Sequence, residues 1–240
     1  MKAILTVEDL RVAWPGGQAV LDGVSLSLAA GRLTGIIGPS GGGKSTLCLA
    51  AAGIIPRLLP AEVQGRILLD GQNLADLTLP EIAARVGIVF QDPETQLFLP
   101  RVLNELAFGP ENLALPVPEI WERIGRVARD TGCEELLDAN PNELSGGQQQ
   151  IVALAAVLAM QPRVLILDEV TAQLDPESCR RIQDIIAALL DRGTAVLMVE
   201  HNLDQLALAH ELYCLRNGRL EAVPGQVDAA WLARVYGESP

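Results

Sequence analysis

Lysine is almost missing from this chain of 240 residues, with only Lys2 and Lys44 present. All other fixed positive charge is arginine, and eighteen basic residues face thirty acidic ones for a formal net charge of −12. That balance argues against a nucleic-acid partner, because phosphate contacts need a basic footprint, although a local basic patch is compatible with it. Aromatic residues are scarce too, at 3% against 49% hydrophobic residues overall. The apolar mass is therefore Leu, Ile, Val and Ala, as expected where helices cover a parallel sheet on both faces. Cys48, Cys133, Cys179 and Cys214 lie far apart with no C-x-x-C pair. They read as free buried thiols in a reducing compartment rather than as disulfides or a zinc site. The longest uninterrupted apolar run, residues 151–160, falls short of the roughly 20 residues that span a bilayer. One lysine and a short apolar stretch before Glu8-Asp9 do not make a signal peptide. The expectation is a soluble protein whose membrane role, if it has one, comes through a partner.

The length suits one large domain, or a core with a lobe inserted into it, and is enough to bury a substantial core. No repeat or low-complexity tract interrupts the chain. Alternation predicts strands over 3–7 and 20–28, around a Pro15-Gly16-Gly17 turn. Buried strands are predicted at 33–37, 66–69, 86–90, 164–167 and 195–199, and helices at 44–52, 119–131, 147–160 and 176–190. Prolines at 93, 100, 110, 116, 118 and 141 cut residues 92–143 into short helical patterns, read as a mostly helical lobe. Asn217-Gly218 predicts a hairpin between strands 211–215 and 219–222. A further short helical pattern covers 227–236. Strands alternating with helices imply an α/β fold on a parallel sheet.

Gly38-Pro39-Ser40-Gly41-Gly42-Gly43-Lys44-Ser45-Thr46 matches the phosphate-binding loop G-x-x-x-x-G-K-[ST]. Glycines let consecutive backbone N–H groups turn inward as a nest for phosphate oxygens, and the following helix adds its positive end. Lys44 would reach the β- and γ-phosphates of ATP, and the Ser45 hydroxyl would ligate Mg²⁺. The run 164–167 followed by Asp168-Glu169 delivers two acids at the C-terminal end of a buried strand, where ligands bind in open sheets. Asp168 would hold Mg²⁺ through water, and Glu169 would act as general base. Leu144-Ser145-Gly146-Gly147-Gln148 is at least a helix cap. A serine hydroxyl and glycine N–H groups at a helix start also make an anion site. The chain's own loop already occupies one nucleotide, so this second site points to the γ-phosphate held by another molecule, in a head-to-tail dimer.

With these motifs in this order, the chain resembles the ATP-binding-cassette (ABC) ATPases over nearly its whole length. The resemblance implies a P-loop fold of the ABC type, with an N-terminal antiparallel β-subdomain. It implies one ABC ATPase domain over 1–240: a nucleotide-binding core in 1–91 and 146–240, and a helical subdomain in 92–145. Gln91 stands where the family places a glutamine that contacts Mg²⁺ and water and faces the transmembrane partner. His201 stands where a histidine contacts the γ-phosphate. Trp14 occupies the place of the aromatic that stacks on adenine, although an ordinary packed aromatic is the other reading. Thr171-Ala172-Gln173-Leu174-Asp175 resembles the loop that crosses the dimer interface.

The segment from Phe90 to Phe98, that from Glu105 to Leu113, and Val199-Glu200-His201-Asn202-Leu203 look like the ATPase subunits of energy-coupling-factor (ECF) importers. These take up vitamins or transition-metal ions such as cobalt or nickel. The implied function is ATP hydrolysis with Mg²⁺, by a homodimer or a heterodimer with a paralogue, on integral membrane subunits at the cytoplasmic face of the membrane. Some of Asp92, Glu94, Glu105 and Glu111 are expected to border a groove for a short helix of such a subunit. The alternatives are the ATPase of another ABC importer or exporter, and a soluble ABC ATPase of DNA repair or chromosome structure. The latter carries long insertions not found here. The chain departs from the family at Gln149-Gln150-Ile151, where a basic residue is usual, and at Val170, where proline is usual.

Overall fold

Three of the described strands are buried at every residue: β3 (Leu33–Ile37), β7 (Val164–Asp168) and β8 (Ala195–Val199). In this computed structural model, which describes residues 2–172 and 174–223, they form the centre of a six-stranded sheet. Gln173 and the helical pattern predicted at 227–236 lie outside the described residues. The other members are β6 (Val86–Val89), β9 (Glu211–Arg216) and β10 (Arg219–Ala222). The order is β10-β9-β3-β8-β7-β6, parallel except for the β9–β10 hairpin predicted from Asn217-Gly218.

Side chains alternate across these strands, so each strand feeds two cores. Leu165, Leu167, Val196 and Met198 join one apolar cluster, with α5 (Gly146–Leu158), α6 (Pro176–Asp191) and the helices α3 (Val102–Asn112) and α4 (Val117–Thr131). Val164, Ile166, Ala195 and Leu197 join the other, with α1 (Lys44–Ala51) and a second sheet. Burying each such Leu, Ile or Val contributes roughly 1.5–3 kcal/mol, which makes this centre the most rigid platform available for a site. Between Asp92 and Glu143 the regular structure is helical only: α3, α4 and short 3₁₀ turns.

The second sheet is antiparallel, β2-β1-β4-β5, built from β1 (Ala3–Ala13), β2 (Ala19–Ala29), β4 (Glu62–Leu69) and β5 (Gln72–Asn73). Both predicted N-terminal strands are longer than their alternation suggested. In β1 a bulge at Asp9, in the left-handed region at φ 48°, shifts the alternation, so that buried positions run Leu5, Val7, then Leu10 and Val12. In β4 the added residues 62–65 are exposed except for half-buried Val63, and they pair through backbone with Arg11–Ala13. They carry no apolar period to read. Pro110 does not break α3 as expected. It sits in the last turn, where its missing N–H forfeits one bond, to the Leu106 carbonyl. The short α2 (Leu79–Ala83) precedes β6. No helix among the described residues is long and apolar enough to cross a membrane.

Candidate active site

β3 ends at Ile37 and the glycine-rich loop follows directly. Gly38 passes so close to the β9 backbone that a Cβ there would sit 2.2 Å from the Leu215 carbonyl oxygen. Gly43, at φ 97°, is the left-handed residue from which α1 starts. Lys44 is the first residue of that helix and is buried. Its ammonium donates to the carbonyls of Gly38 at 3.0 Å and Pro39 at 3.2 Å, and lies 3.3 Å from Glu169 Oε1. The only lysine inside the fold is therefore held at the mouth of the nest, between the loop and an acid.

β7 delivers that acid. Asp168 is its last residue, and Glu169 follows in the left-handed region at φ 54°, its N–H donating to the Val199 carbonyl of β8 at 2.9 Å. A non-glycine residue there carries strain of about 1–3 kcal/mol, which surrounding contacts must offset. Glu169 Oε1 is shared by Lys44 and by His201 Nε2 at 2.8 Å. Asp168 is hydrogen-bonded by Ser45, yet its Oδ1 is buried with no hydrogen-bond partner among the described residues. Burial pushes the Asp168 carboxyl up, and the neighbouring Glu169 adds to this, while the Ser45 bond opposes it. An orphaned, buried carboxylate oxygen beside a hydroxyl fits a hard cation that takes oxygen ligands, so the residues present fit Mg²⁺. No group of three or more His, Cys, Asp or Glu among the described residues could cage a metal by itself.

A cleft of about 610 Å³ opens over this arrangement, and Trp14, Ser40, Gly41, Gly43, Lys44, Ser45, Thr46, Gln91, Glu169 and His201 all line it. Residues predicted from five separate stretches of sequence thus meet in one place. Gly38 and Gly42 lie in the loop wall behind it, and Asp168 lies beneath. The Leu144–Gln148 stretch and Asp175 do not line the cleft. Ser145 caps α5, accepting from the Gln148 N–H at 3.3 Å, while Gln148 Oε1 accepts from the Ser145 N–H at 2.9 Å. Ser145, Gly146 and Gln148 are exposed. Asp175 caps α6 through the N–H groups of Glu177 and Ser178.

Several contributors were not assigned a role in the sequence. Gln96 spans the edge of β6, donating to the Ile88 carbonyl at 3.1 Å and accepting from the Phe90 N–H at 3.2 Å. Buried Gln150, two residues beyond the capping stretch, donates to the Phe90 carbonyl at 3.1 Å. Together they pin the root of the loop that carries Gln91. Ile151, which departs from the family's basic residue, is buried in the helical core, as is Val170. Of the four acids considered for the groove, Glu105 is the one that is buried, its Oε1 accepting from the N–H groups of Phe98 and Leu99 at 2.5 Å each. It closes the loop before α3 from inside, and desolvation pushes its carboxyl up. Asp92, Glu94 and Glu111 are exposed as expected.

Glu200 is buried and its carboxyl is pushed up to about 7, first by desolvation, with Glu169 and Asp168 adding to it and Thr171 opposing. Its folded-state value lies above the ordinary 4.5, so the fold favours the protonated form. Its contribution to stability is therefore most favourable at low pH and is lost as pH rises from about 4.5 to 7. The cost above that window is on the order of 3 kcal/mol, at about 1.4 kcal/mol per pKa unit. Glu200→Gln removes the charge and keeps an acceptor oxygen. Thermal melts should show it several degrees more stable than the native chain at pH 8, with the gap closing by pH 4.5. An equal gap at both pH values would contradict the assignment.

A phosphate-binding loop entering a helix from a buried parallel strand, with an acid pair ending a neighbouring strand, defines a P-loop nucleoside triphosphatase. The ABC transporter family model matches residues 21–172. The chain is 36% identical to the energy-coupling factor transporter ATP-binding protein EcfA of Methanosarcina acetivorans, over 99% of this chain and 86% of that one. It is 41% identical to EcfA2 of Symbiobacterium thermophilum, over 86% and 71%. Among solved structures it is similar to cbiO1 of Clostridium perfringens, described as part of the ABC transporter complex cbiONQ. That match has a TM-score of 0.81 and 34% identity, over 92% of this chain and 88% of that one. The chain belongs to the ABC transporter ATPase family: it is an ATP-binding ATPase domain of the ABC fold.

Proposed function

We infer that this chain is the ATP-hydrolysing subunit of an ECF-type importer of a vitamin or a transition-metal ion such as cobalt or nickel. The observation that carries the reading is the single cleft joining Trp14, the phosphate loop, Gln91, Glu169 and His201. The names of the similar proteins EcfA, EcfA2 and cbiO1 support the transporter class.

ATP enters with adenine on the Trp14 face and its phosphates on the loop N–H groups, from Ser40 to Thr46. The triphosphate draws Lys44 away from Glu169. That leaves the carboxylate free to take a proton from the attacking water, while His201 stays on the Oε1 that Lys44 has left and meets the γ-phosphate. Ser45, Asp168 and Gln91 would hold Mg²⁺, which when bound neutralises the developing charge on the phosphate oxygens. Leu144, Ser145, Gly146, Gly147 and Gln148, at the start of α5, complete the site of a second copy or a paralogue, and Asp175 crosses to it. ATP closes that dimer and hydrolysis opens it. Residues 92–145 act as the helical subdomain that passes the motion to membrane subunits at the cytoplasmic face, hung on the core of 1–91 and 146–240. Other ABC importers or exporters would share this chemistry and differ in the partner.

Ser145→Arg should abolish hydrolysis and leave ATP binding to the monomer intact. Mixed with Lys44→Ala in a homodimer, it should restore part of the activity. One of the two shared sites then combines an intact loop with an intact signature. Mixtures that stay inactive, although Ser145→Arg still binds ATP and the heterodimer forms, would count against shared sites.

The partner is tested at the loop after Gln91. Asp92 and Glu94 are exposed there, and Phe98 and Phe108 stack edge to face at 5.1 Å with both rings exposed, an apolar floor beside an acidic rim. Asp92→Arg with Glu94→Arg should leave ATP binding unchanged, weaken copurification of the membrane subunits and uncouple transport, because arginine–carboxylate pairs across the groove would be lost. Normal assembly and transport by the double variant would remove this surface from the interface.

A further inference from the structure

No step above uses Glu200, although it is the residue before His201 and one of the few buried charged groups among the described residues. Its N–H continues the sheet, donating to the Ile36 carbonyl of β3 at 3.1 Å. Its carboxylate Oε1 accepts twice from one residue, from the Thr171 N–H at 3.2 Å and the Thr171 hydroxyl at 2.8 Å. A carboxyl buried beside Asp168 and Glu169 is costly to desolvate, and an apolar side chain would avoid that cost. What the carboxyl supplies is a two-donor grip on the turn that follows Glu169.

Among the described residues the turn is also tied by Ala172 N–H to the Glu169 carbonyl and by Leu174 N–H to the Thr171 carbonyl, at 3.3 Å each, and more weakly by the Cys179 thiol, which donates to the Thr171 and Leu174 carbonyls at 3.8 Å. Beyond it, Asp175 caps α6 and binds the Ser178 hydroxyl at 2.6 Å. Gly147 of the signature stretch packs so tightly on Ser178 that a Cβ would lie 2.4 Å from its hydroxyl oxygen. Three consecutive residues at the end of β8 therefore each hold one part of the site. Val199 fixes the Glu169 backbone, Glu200 fixes Thr171, and His201 meets the Glu169 carboxylate.

We propose that Glu200 is a positioning residue for hydrolysis: it clamps the Thr171 turn to the end of β8, and so sets Glu169 and His201 relative to the γ-phosphate and to the Asp175 loop. The proposal rests on the ATPase roles given to Glu169 and His201. It requires that Glu200 act through Thr171 and not by touching nucleotide, so loss of the clamp lowers kcat with little change in binding.

The test uses the full chain with ATP and magnesium, comparing Glu200→Ala, Glu200→Gln, Thr171→Val and the double variant Glu200→Ala/Thr171→Val. Misplacing a catalytic group by about 1 Å costs on the order of 10²-fold. Glu200→Ala should therefore lower kcat by about 10- to 100-fold, with KM and ATP affinity within about twofold of the native chain. Glu200→Gln, whose amide oxygen accepts the same two donors, should recover most of the lost kcat. Thr171→Val should lower kcat in the same way, and the double variant should be no worse than the poorer single one, as expected of two residues in one contact. Unchanged kcat in Glu200→Ala overturns the clamp. So does a loss of kcat and ATP affinity together that Glu200→Gln does not repair. If Glu200→Ala fails to fold, Thr171→Val and Glu200→Gln decide the question between them. Glu169→Gln is measured alongside. Full hydrolysis by that variant removes the ATPase roles on which the clamp depends, whereas loss in Glu169→Gln but not in Glu200→Ala or Thr171→Val removes the clamp alone.

Discussion

Glu169→Gln is expected to lower ATP turnover by about 10²–10⁴-fold, the contribution of a positioned general base. ATP affinity should hold. The amide keeps the length and shape of the side chain, can still accept from Lys44 and His201, and leaves Asp168 and Ser45 beneath it unaltered. What it removes is the capacity to take a proton from water. Since Glu169 stands in the left-handed region and its N–H is tied to Val199, the backbone presents the new side chain in the same direction. With ATP bound and not consumed, two copies should remain closed on two nucleotides, and size exclusion with ATP should show a dimer that the native chain forms only transiently.

Lys44→Ala is expected to act one step earlier, on binding. Lys44 is the only cation of the phosphate loop and is 4% exposed, so no solvent replaces it. Removing one partner of a buried, hydrogen-bonded charge pair costs about 2–5 kcal/mol, which is roughly 30- to 5,000-fold in affinity for the triphosphate. Turnover at fixed ATP should fall at least as far. Titration with a fluorescent ATP analogue checks this directly. Unchanged affinity would remove the loop from the nucleotide site.

The parts of the site that were legible in the sequence share a property. Gly38–Ser45, Asp168-Glu169 and His201 each sit at the end of a fully buried strand, and such strands announce themselves as short apolar runs. Once three of those ends are parallel neighbours, their loops must share one rim. Trp14 and Gln91 reach the same cleft from the second sheet and the edge strand, where spacing alone carries no such signal and the family resemblance supplied the expectation. The supporting residues were harder to read. Gln96, Gln150 and Glu200 act through backbone groups at distances of 3.2 Å or less from residues up to 60 positions away, and nothing local marks them. Glu105 does not stand out from the surface acids in so acidic a chain, yet two uncapped N–H groups at Phe98 and Leu99 need it as an internal acceptor. The bulge at Asp9 hid half of β1 by shifting its alternation.

The central claim is that one cleft binds ATP through Lys44 and hydrolyses it through Glu169. The most direct test measures ATP affinity and turnover side by side in the native chain, Lys44→Ala and Glu169→Gln. The account predicts binding with hydrolysis in the first, neither in the second, and binding without hydrolysis in the third. Near-native turnover by Glu169→Gln with its ATP affinity intact would contradict it.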